Sequence, residues 1–462
     1  MTSQPTTTDG WRGLPGPGWS EREVLAVLHG VLPTLLAGRD RGADVLVGHD
    51  GRAGSRELAG LAADWLAGRG TSCRLATGPA PTPALGRMVH EDGGLAAAVV
   101  MTASHNPPGF FGLKVRDSAG YGVVWPPAAV DAGAASEPAE VAVRPHRAVD
   151  AAAAYARGAV GRALLAGARR FGGRRFGGRR FGGRLVVDAA HGAVGALAPH
   201  LPGLAFHRAR PLPFFAGATP DPTLRQQAEA VAERVLAGLP DAGRGLVAMV
   251  DGDGDRLALF TRRSRFIGSA EQAALLLRAG LPARRLITTA VAPLMVARAV
   301  AADRPDVEVT ETAVGFKHIV AAWRSDPRPA LGLEPNGALV WPGPDGAGYF
   351  ERDSLAALGT LLAAFPAVAD LDDAVTALRG DHPYRQDIHT VALEPEEVVA
   401  RVARLLPGWH AAAVEDRWVF GDGGHGRITV RRAATEPRTR LYVEAEPAVG
   451  ARLPAALRAA RN

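Results

Sequence analysis

Apolar runs that end in Gly, Asp, Ser or His recur along the chain: VLVGHD (45–50), AAAVVMTASHN (96–106), RLVVDAAHG (184–192), GLVAMVDGDGD (245–255), LITTAV (286–291) and ALGLEPNG (330–337). Such runs predict buried strands. Between them, SRELAGLAADWLAG (55–68) and LRQQAEAVAERVLAGL (224–239) space their apolar residues at helical intervals. Ser20 with Glu23, and Ser269 with Gln272, have the capping-box spacing that opens a helix. Alternation of strand and helix predicts α/β domains with mostly parallel sheets, in which ligands gather beyond the carboxyl ends of the strands. The polar motifs fall at those ends. WVFGDGGHGRITVRR and RLYVEAE differ in style, as short alternating strands about a turn. Roughly the last 80 residues are therefore expected to form a small α+β domain.

A chain of 462 residues exceeds one hydrophobic core, so several domains with a cleft between them are expected. The Pro, Gly and Ala rich stretch near 126–150 with the arginine repeat suggests one break, and the region after Ala364, ending near His382 and Pro383, suggests another. With 47% apolar and 22% charged residues the composition is that of a folded globular protein. No stretch approaches the roughly 18 to 20 apolar residues of a spanning helix, and MTSQPTTTDG lacks the regions of a signal peptide. The expectation is a cytoplasmic protein with no membrane partner. The single cysteine, Cys73, reads as structural.

The net charge of +6 is misleading, because residues 169–184, RRFGGRRFGGRRFGGR, hold seven arginines and no acid. The rest of the chain is close to neutral, which argues against a nucleic-acid partner for the globular part. The repeat reads as a surface linker; the alternative is an arginine and glycine element that touches a polyanion. Lysine usage says more. Of 53 basic residues only Lys114 and Lys317 are lysines. A compact ammonium with a tunable pKa is not replaceable by a guanidinium, so both are functional candidates.

Two segments carry chemistry. In TASHNPPGFFGLK (102–114), Ser104 at the mouth of a buried strand, followed by His105 and Asn106, is placed for nucleophilic catalysis beside groups that can hold a phosphate. In DGDGDR (251–256), an extended backbone with period two turns Asp251, Asp253 and Asp255 to one side and offers three hard oxygens to a divalent ion. A calcium EF-hand loop needs Gly and Glu where Arg256 and Arg262 stand, and is rejected.

These motifs, with TTTDGWRG (6–13), VGHDGR (47–52), VGFKHI (314–319), LEPNGA (333–338) and RRAATEPRTRLYVEA (431–445), fall in the order seen in the α-D-phosphohexomutases. Over essentially its whole length the chain resembles a phosphoglucomutase or phosphomannomutase. The resemblance implies three mixed or parallel α/β domains plus a small C-terminal α+β domain around a central cleft. They are taken as 1–150 (phosphoserine), 151–257 (metal), 258–372 (sugar) and 373–462 (phosphate). It implies that Ser104 carries a phosphoryl group between positions 1 and 6 of a hexose phosphate, with Mg²⁺ held by Asp251, Asp253, Asp255 and the phosphoserine. It also implies a hexose 1,6-bisphosphate, as intermediate and activator. Lys114 matches the general base, Arg12 and Arg256 neutralise phosphoryl charge, and His105 orients the serine loop. Lys317, Glu334 and Asn336 match the sugar-binding positions, and Arg431 and Thr435 the distal phosphate loop. The GFK form leans towards glucose; mannose and glucosamine phosphates stay open, as does a catalytically impaired relative that only binds sugar phosphate. The expected assembly is a monomer or dimer. The chain departs from the family pattern at RRAATEP (431–437), where RPSGTEP is usual, and at Leu333, Pro335 and Asn336. Ala433 and Ala434 in place of serine and glycine imply a weaker grip on phosphate, or a less usual sugar phosphate.

Overall fold

The computed structural model describes residues 10–16, 20–37, 43–125, 146–171, 175–176, 179–180, 184–343, 348–414, 417–421, 426–432 and 439–445. Four main sheets follow one another along the chain. The first contains β1 (Trp11–Gly13), β2 (Asp44–His49), β3 (Cys73–Ala76), β4 (Leu95–Met101), β5 (Phe111–Arg116) and β6 (Arg147–Val149), in the order β1-β5-β4-β2-β3-β6. β4, β2, β3 and β6 run parallel, while β5 and β1 are antiparallel additions at one edge. Alternation along β2 shows why the sheet is covered on both faces. Val45 and Val47 enter a cluster with Trp65, Leu66, Val24 and Leu28 of the helices Glu21–Leu36 and Ser55–Gly68. Leu46, one residue out of phase, packs with Leu85 and Val89 of the helix Thr82–Glu91 on the other face.

The repeat forms a short antiparallel pair, β7 (Arg175–Phe176) and β8 (Arg179–Arg180). The second sheet, β10-β9-β11-β12-β13, is built from β9 (Arg184–Asp188), β10 (Ala205–His207), β11 (Gly245–Val250), β12 (Leu257–Thr261) and β13 (Arg265–Ile267). The third, β15-β14-β16-β17, comprises β14 (Arg285–Thr289), β15 (Glu308–Thr312), β16 (Ala330–Glu334) and β17 (Ala338–Val340). One continuous apolar cluster, from Leu164 and Phe171 through Val187, Leu259 and Leu331 to Leu358 and Leu378, joins the two. The last sheet, β18 (Arg385–Val391), β19 (His410–Val414), β20 (Arg417–Gly421), β21 (Gly426–Arg432) and β22 (Thr439–Ala445), is antiparallel throughout, in the order β18-β22-β21-β20-β19. The helix Pro395–Leu405 covers it with Val398 and Val402 against Phe420, Ile428 and Val443.

Three local expectations are corrected. Ser20 is the N-cap of its helix, but its hydroxyl bonds to the Glu23 carboxylate instead of a backbone N–H. The second box lies one residue earlier than Ser269 and Gln272: Gly268 is the N-cap and Glu271 accepts its N–H at 3.2 Å. Ser269 and Gln272 are buried and spent on tertiary bonds, to the Glu334 carbonyl (3.2 Å) and the Ile267 carbonyl (3.0 Å). The arginine repeat is not wholly a surface linker, since Arg169 to Phe171 complete the helix Ala159–Phe171 and Phe171 is a core residue. Among the described residues no single helix is long and apolar enough to cross a membrane.

Two buried groups have measurable consequences. Burial and the charges of Asp44 and Asp64 push the Cys73 thiol up to about 12. The native protein is expected to leave Ellman's reagent unreacted and to release one equivalent of thionitrobenzoate once denatured; a fast native reaction would contradict the packing. Burial, and then the nearby Arg56, hold the His49 imidazole down at about 4. The unfolded chain takes up this proton near pH 6.5 and the folded chain only near 4, so stability is lost as pH falls between those values. The loss amounts to about 3 kcal/mol. His49→Gln should flatten that part of the stability profile in urea titrations from pH 7 to 4; an unchanged slope would rule out His49 as its source.

Candidate active site

β4 ends at Met101 and the chain turns into the Ser104 loop. Ser104 is 1% exposed and takes the left-handed conformation, φ +51°. Its Oγ donates to Asp251 Oδ2 at 2.9 Å. The acidic residues follow β11, but not as an extended segment. The chain turns through Gly254 at φ +79°, and the N–H groups of Asp255 and Arg256 donate to Asp251 Oδ1 at 2.9 and 3.2 Å. The carboxylates converge because the loop winds about Asp251, not because a pleat aligns them. One oxygen from each lies within 4.8 Å of the others, with all three residues at most 1% exposed.

Lys114, on β5, reaches across to Asp253 Oδ2 and Asp255 Oδ2, both at 2.9 Å. Thr82 Oγ1 donates to Asp253 Oδ2 at 2.6 Å, and Arg352 Nη2 stands 3.4 Å from Asp255 Oδ2. The arrangement is lopsided. Burial, then the charges of Asp255 and Asp253, push the Asp251 carboxyl well above the usual range. Asp253 is drawn the other way: burial opposes its charge, but Lys114 and the Thr82 hydroxyl outweigh it. Among the described residues, Asp253 Oδ1 and Asp255 Oδ1 are buried without a hydrogen-bond partner. Two orphaned carboxylate oxygens beside a third carboxylate suit a hard divalent cation such as Mg²⁺.

His105 sits among cations. Arg256 Nη2 lies 3.2 Å from Nε2, and Ser104 Oγ lies 3.3 Å from Nδ1. Guanidiniums only donate; Arg256 is the nearer of the two at the ring, and Arg12 and the Ser104 hydroxyl give their protons to Asn106 and Asp251, so Nε2 is assigned as the acceptor and Nδ1 carries the proton towards Ser104 Oγ. Burial, Arg256, Arg12, Lys114 and Arg52 keep the ring neutral, well below its ordinary pKa. Arg12 Nη1, 3.4 Å from the protonated Nδ1, donates to Asn106 Oδ1 at 2.9 Å. Arg256 also pairs with Asp221 at 3.5 Å.

The structure thus gathers Ser104, His105, Lys114, Arg12, Arg256 and the three aspartates. The sugar-loop residues border this group. Glu334 ends β16, and the Gly337 carbonyl accepts the Leu257 N–H at 2.8 Å, which sets the loop against Arg256. Asn336 Oδ1 is buried without a partner among the described residues. Lys317, in the first turn of the helix Phe316–Ser325, lines a cleft with Tyr121, Val123, Glu351 and Arg352. Arg431 stands apart on β21, where Arg417 and Arg440 are its register partners on the two neighbouring strands. Three arginines side by side repel unless an anion or acid is among them. Thr435, Ala433 and Ala434 lie outside the described residues.

Several participants were not legible. Thr82 and Arg352 have no motif around them. Asp50 and Arg52 lie within VGHDGR, where only their place in the motif order drew notice. Arg417 and Arg440 become visible only through strand register.

The model of the phosphoglucomutase/phosphomannomutase α/β/α domain I matches residues 3–127. A phosphoglucosamine mutase of Paraburkholderia phytofirmans is 27% identical over 471 residues, covering 96% of this chain and 95% of its own. One of Synechococcus elongatus is 28% identical over 437 residues, covering 89% and 84%. Among solved structures, a phosphoglucomutase/phosphomannomutase family protein from Burkholderia thailandensis superposes with a TM-score of 0.77 at 23% identity, covering 100% of this chain and 97% of that one. The domain match over residues 3–127, the end-to-end similarity and the shared fold agree with the motif order and support the α-D-phosphohexomutase family for this chain.

Proposed function

We propose that the protein is a phosphohexomutase in which Ser104 Oγ carries the phosphoryl group exchanged between O1 and O6 of a hexose or hexosamine phosphate. The observation that supports this most is the buried Ser104 hydroxyl bonded to Asp251, inside a carboxylate triad that Lys114 bridges. Asp251, Asp253 and Asp255 would hold Mg²⁺, with the phosphoserine beside them. When bound, the ion neutralises charge on the phosphoryl oxygens. The rest is the work of side chains. Arg12 and Arg256 converge on His105 and supply positive charge at the mouth of the Ser104 loop, where phosphoryl oxygens gather charge in transfer. Lys114, paired with two carboxylates, starts as an ammonium. It gives its proton to the oxygen that leaves phosphorus and takes one from the hydroxyl that attacks. His105 orients the Ser104 hydroxyl through its Nδ1–H.

In this reading the first three sheets bring the serine, metal and sugar loops to one cleft and the last brings Arg431, in domains divided near 150, after the second sheet ends at Ile267, and after the helix Val368–Asp381. A hexose 1,6-bisphosphate primes Ser104. The GFK segment favours glucose phosphates, while the relatives named as phosphoglucosamine mutases favour glucosamine phosphate. Turnover of glucose, mannose and glucosamine 1-phosphates, each with the matching bisphosphate, decides between them. No turnover on any of them would leave a sugar-phosphate-binding relative.

Ser104→Ala should lose turnover by at least about four orders of magnitude while keeping its native circular dichroism spectrum, and wild-type protein should carry its phosphoryl group on Ser104 by intact mass and peptide mapping. Stoichiometric phosphate at another residue would sink the assignment. Asp255→Asn removes one charge from the triad and should weaken Mg²⁺ at least about tenfold by calorimetry, with turnover falling in step. Affinity equal to wild type would place the ion elsewhere. Lys114→Arg keeps the charge but cannot release a proton near neutral pH, and kcat should fall by about a hundredfold or more. Full activity in that variant would leave Lys114 as an electrostatic contact only.

A further inference from the structure

The backbone of Ser104 is held by one buried carboxylate outside the triad. Asp50, just after β2, is 1% exposed. Its Oδ2 accepts the Thr102 hydroxyl at 2.7 Å and Arg52 Nε at 3.1 Å, and its Oδ1 accepts the Arg52 N–H at 2.9 Å. Each partner then grips one side of Ser104. Thr102 Oγ1 accepts the Ser104 N–H at 2.8 Å. Arg52 Nη2 donates to the carbonyls of Ser104 and Asn106, both at 2.6 Å, while its Nη1 reaches those of Pro107 (3.0 Å) and Phe110 (3.4 Å). All five N–H groups of this guanidinium are therefore committed. The Phe215 ring closes over it, 4.6 Å from Cζ. Arg52 has no donor left for a ligand, so its role is to hold the loop.

The loop needs holding. A serine at φ +51° is strained and relaxes to negative φ unless its surroundings forbid it. The metal loop leans on the same peptide, since a Cβ at Gly252 would lie 2.5 Å from the Ser104 carbonyl oxygen. Any slackening of Ser104 moves Oγ relative to Asp251 directly. We propose that Asp50, Thr102 and Arg52 form a yoke that imposes the left-handed backbone of Ser104 and aims its Oγ at Asp251, which makes them positioning residues for phosphoryl transfer. This rests on the reading of Ser104 as the phosphoryl carrier. Lysine cannot replace Arg52, because three donors on one atom do not span four carbonyls and a carboxylate.

The test uses the full chain with Arg52→Lys and Thr102→Val, the latter a nearly isosteric loss of one arm that does not depend on the arginine variant folding. Amide hydrogen exchange over 103–110 should quicken by about tenfold or more in both variants, with peptides over 44–49 and 95–101 as protected as in wild type. On the best hexose phosphate, kcat should fall by about thirtyfold or more while KM changes by less than about threefold, because the loop is misaimed while the substrate contacts stay in place. Unchanged exchange in both variants overturns the yoke, whatever the activity. Faster exchange with wild-type kcat overturns its part in aiming the serine. A wild-type chain that accepts no phosphoryl group at Ser104 from a hexose 1,6-bisphosphate overturns the functional reading instead, and the exchange measurement still reports on the yoke by itself.

Discussion

Three carboxylates within 4.8 Å of one another, all buried, constitute a charge that the fold must answer before anything else at this site is possible. Isolated buried charges cost far more than a domain's net stability, so positive groups must be delivered to them by covalently fixed elements. Lys114 comes from β5 of the first sheet, and Arg352 from the segment before the helix Ser354–Ala364. The same two segments extend the pattern. Arg116, two residues on from Lys114, pairs with Glu351 at 2.9 Å, and Glu351 flanks Arg352. The result is an alternating chain of buried charges, Arg116, Glu351, Arg352, Asp255, Lys114 and Asp253, that ties the first sheet, the metal loop and the third sheet together. Buried ion pairs of this kind contribute little net stability. Their value lies in fixing where three sheets meet, because a shift that separated one pair would leave a buried charge without its partner.

That registration places the groups proposed to react. Ser104 and Lys114 both belong to the first sheet, at the end of β4 and within its antiparallel neighbour β5, so their separation is set by one strand pair. The metal loop is brought to them by backbone contacts as well as by charge: the Thr82 N–H donates to the Asp253 carbonyl at 2.9 Å, and the Ser354 hydroxyl to the Gly254 carbonyl at 2.8 Å. The last sheet is attached differently. Glu444 of β22 accepts the N–H of Leu294 at 2.7 Å, at the start of the helix Leu294–Asp303, and Arg427 pairs with the same carboxylate at 3.2 Å. A carboxylate at a helix N-terminus is a favourable but local attachment. It joins the sheet that bears Arg431 to the third sheet, without, among the described residues, the shared apolar core that unites the second and third.

The order of strands and helices could be read from the sequence because the apolar periods are clean; the helix over 55–68 and the all-buried strands β2, β4 and β11 are examples. The proximity of the Ser104 loop and the aspartate triad could be read because their motifs are local. What could not be read depends on contacts distant in the chain. Ser269 and Gln272 have the right spacing for a cap, yet tertiary bonds to Glu334 and Ile267 claim both side chains and shift the cap to Gly268. Period two suggested that the aspartates align along an extended backbone, but two N–H donors folded the loop around Asp251 instead. Arg352 lies 97 positions beyond Asp255 in the numbering, with no pattern linking them, and only packing reveals the pair.

Lysine scarcity takes on a physical meaning at one of its two exceptions. Lys114 places a single nitrogen 2.9 Å from oxygens of two different carboxylates, in a space that leaves the residue 1% exposed. A guanidinium prefers to lie in the plane of one carboxylate and binds it with two parallel donors. Across a gap of this shape it would pair with Asp253 or with Asp255, and leave the other oxygen facing carbon. Arg352, next door, touches two carboxylates only by using a different nitrogen for each, Nη2 3.4 Å from Asp255 and Nε 3.5 Å from Glu351, while its Cζ lies 5.2 Å from the centre of the Phe316 ring, a contact suited to a flat cation. The site therefore uses each cation where its shape fits. In a chain where arginine stands at nearly every other basic position, Lys114 occupies a geometry that suits a point charge on a slender stem.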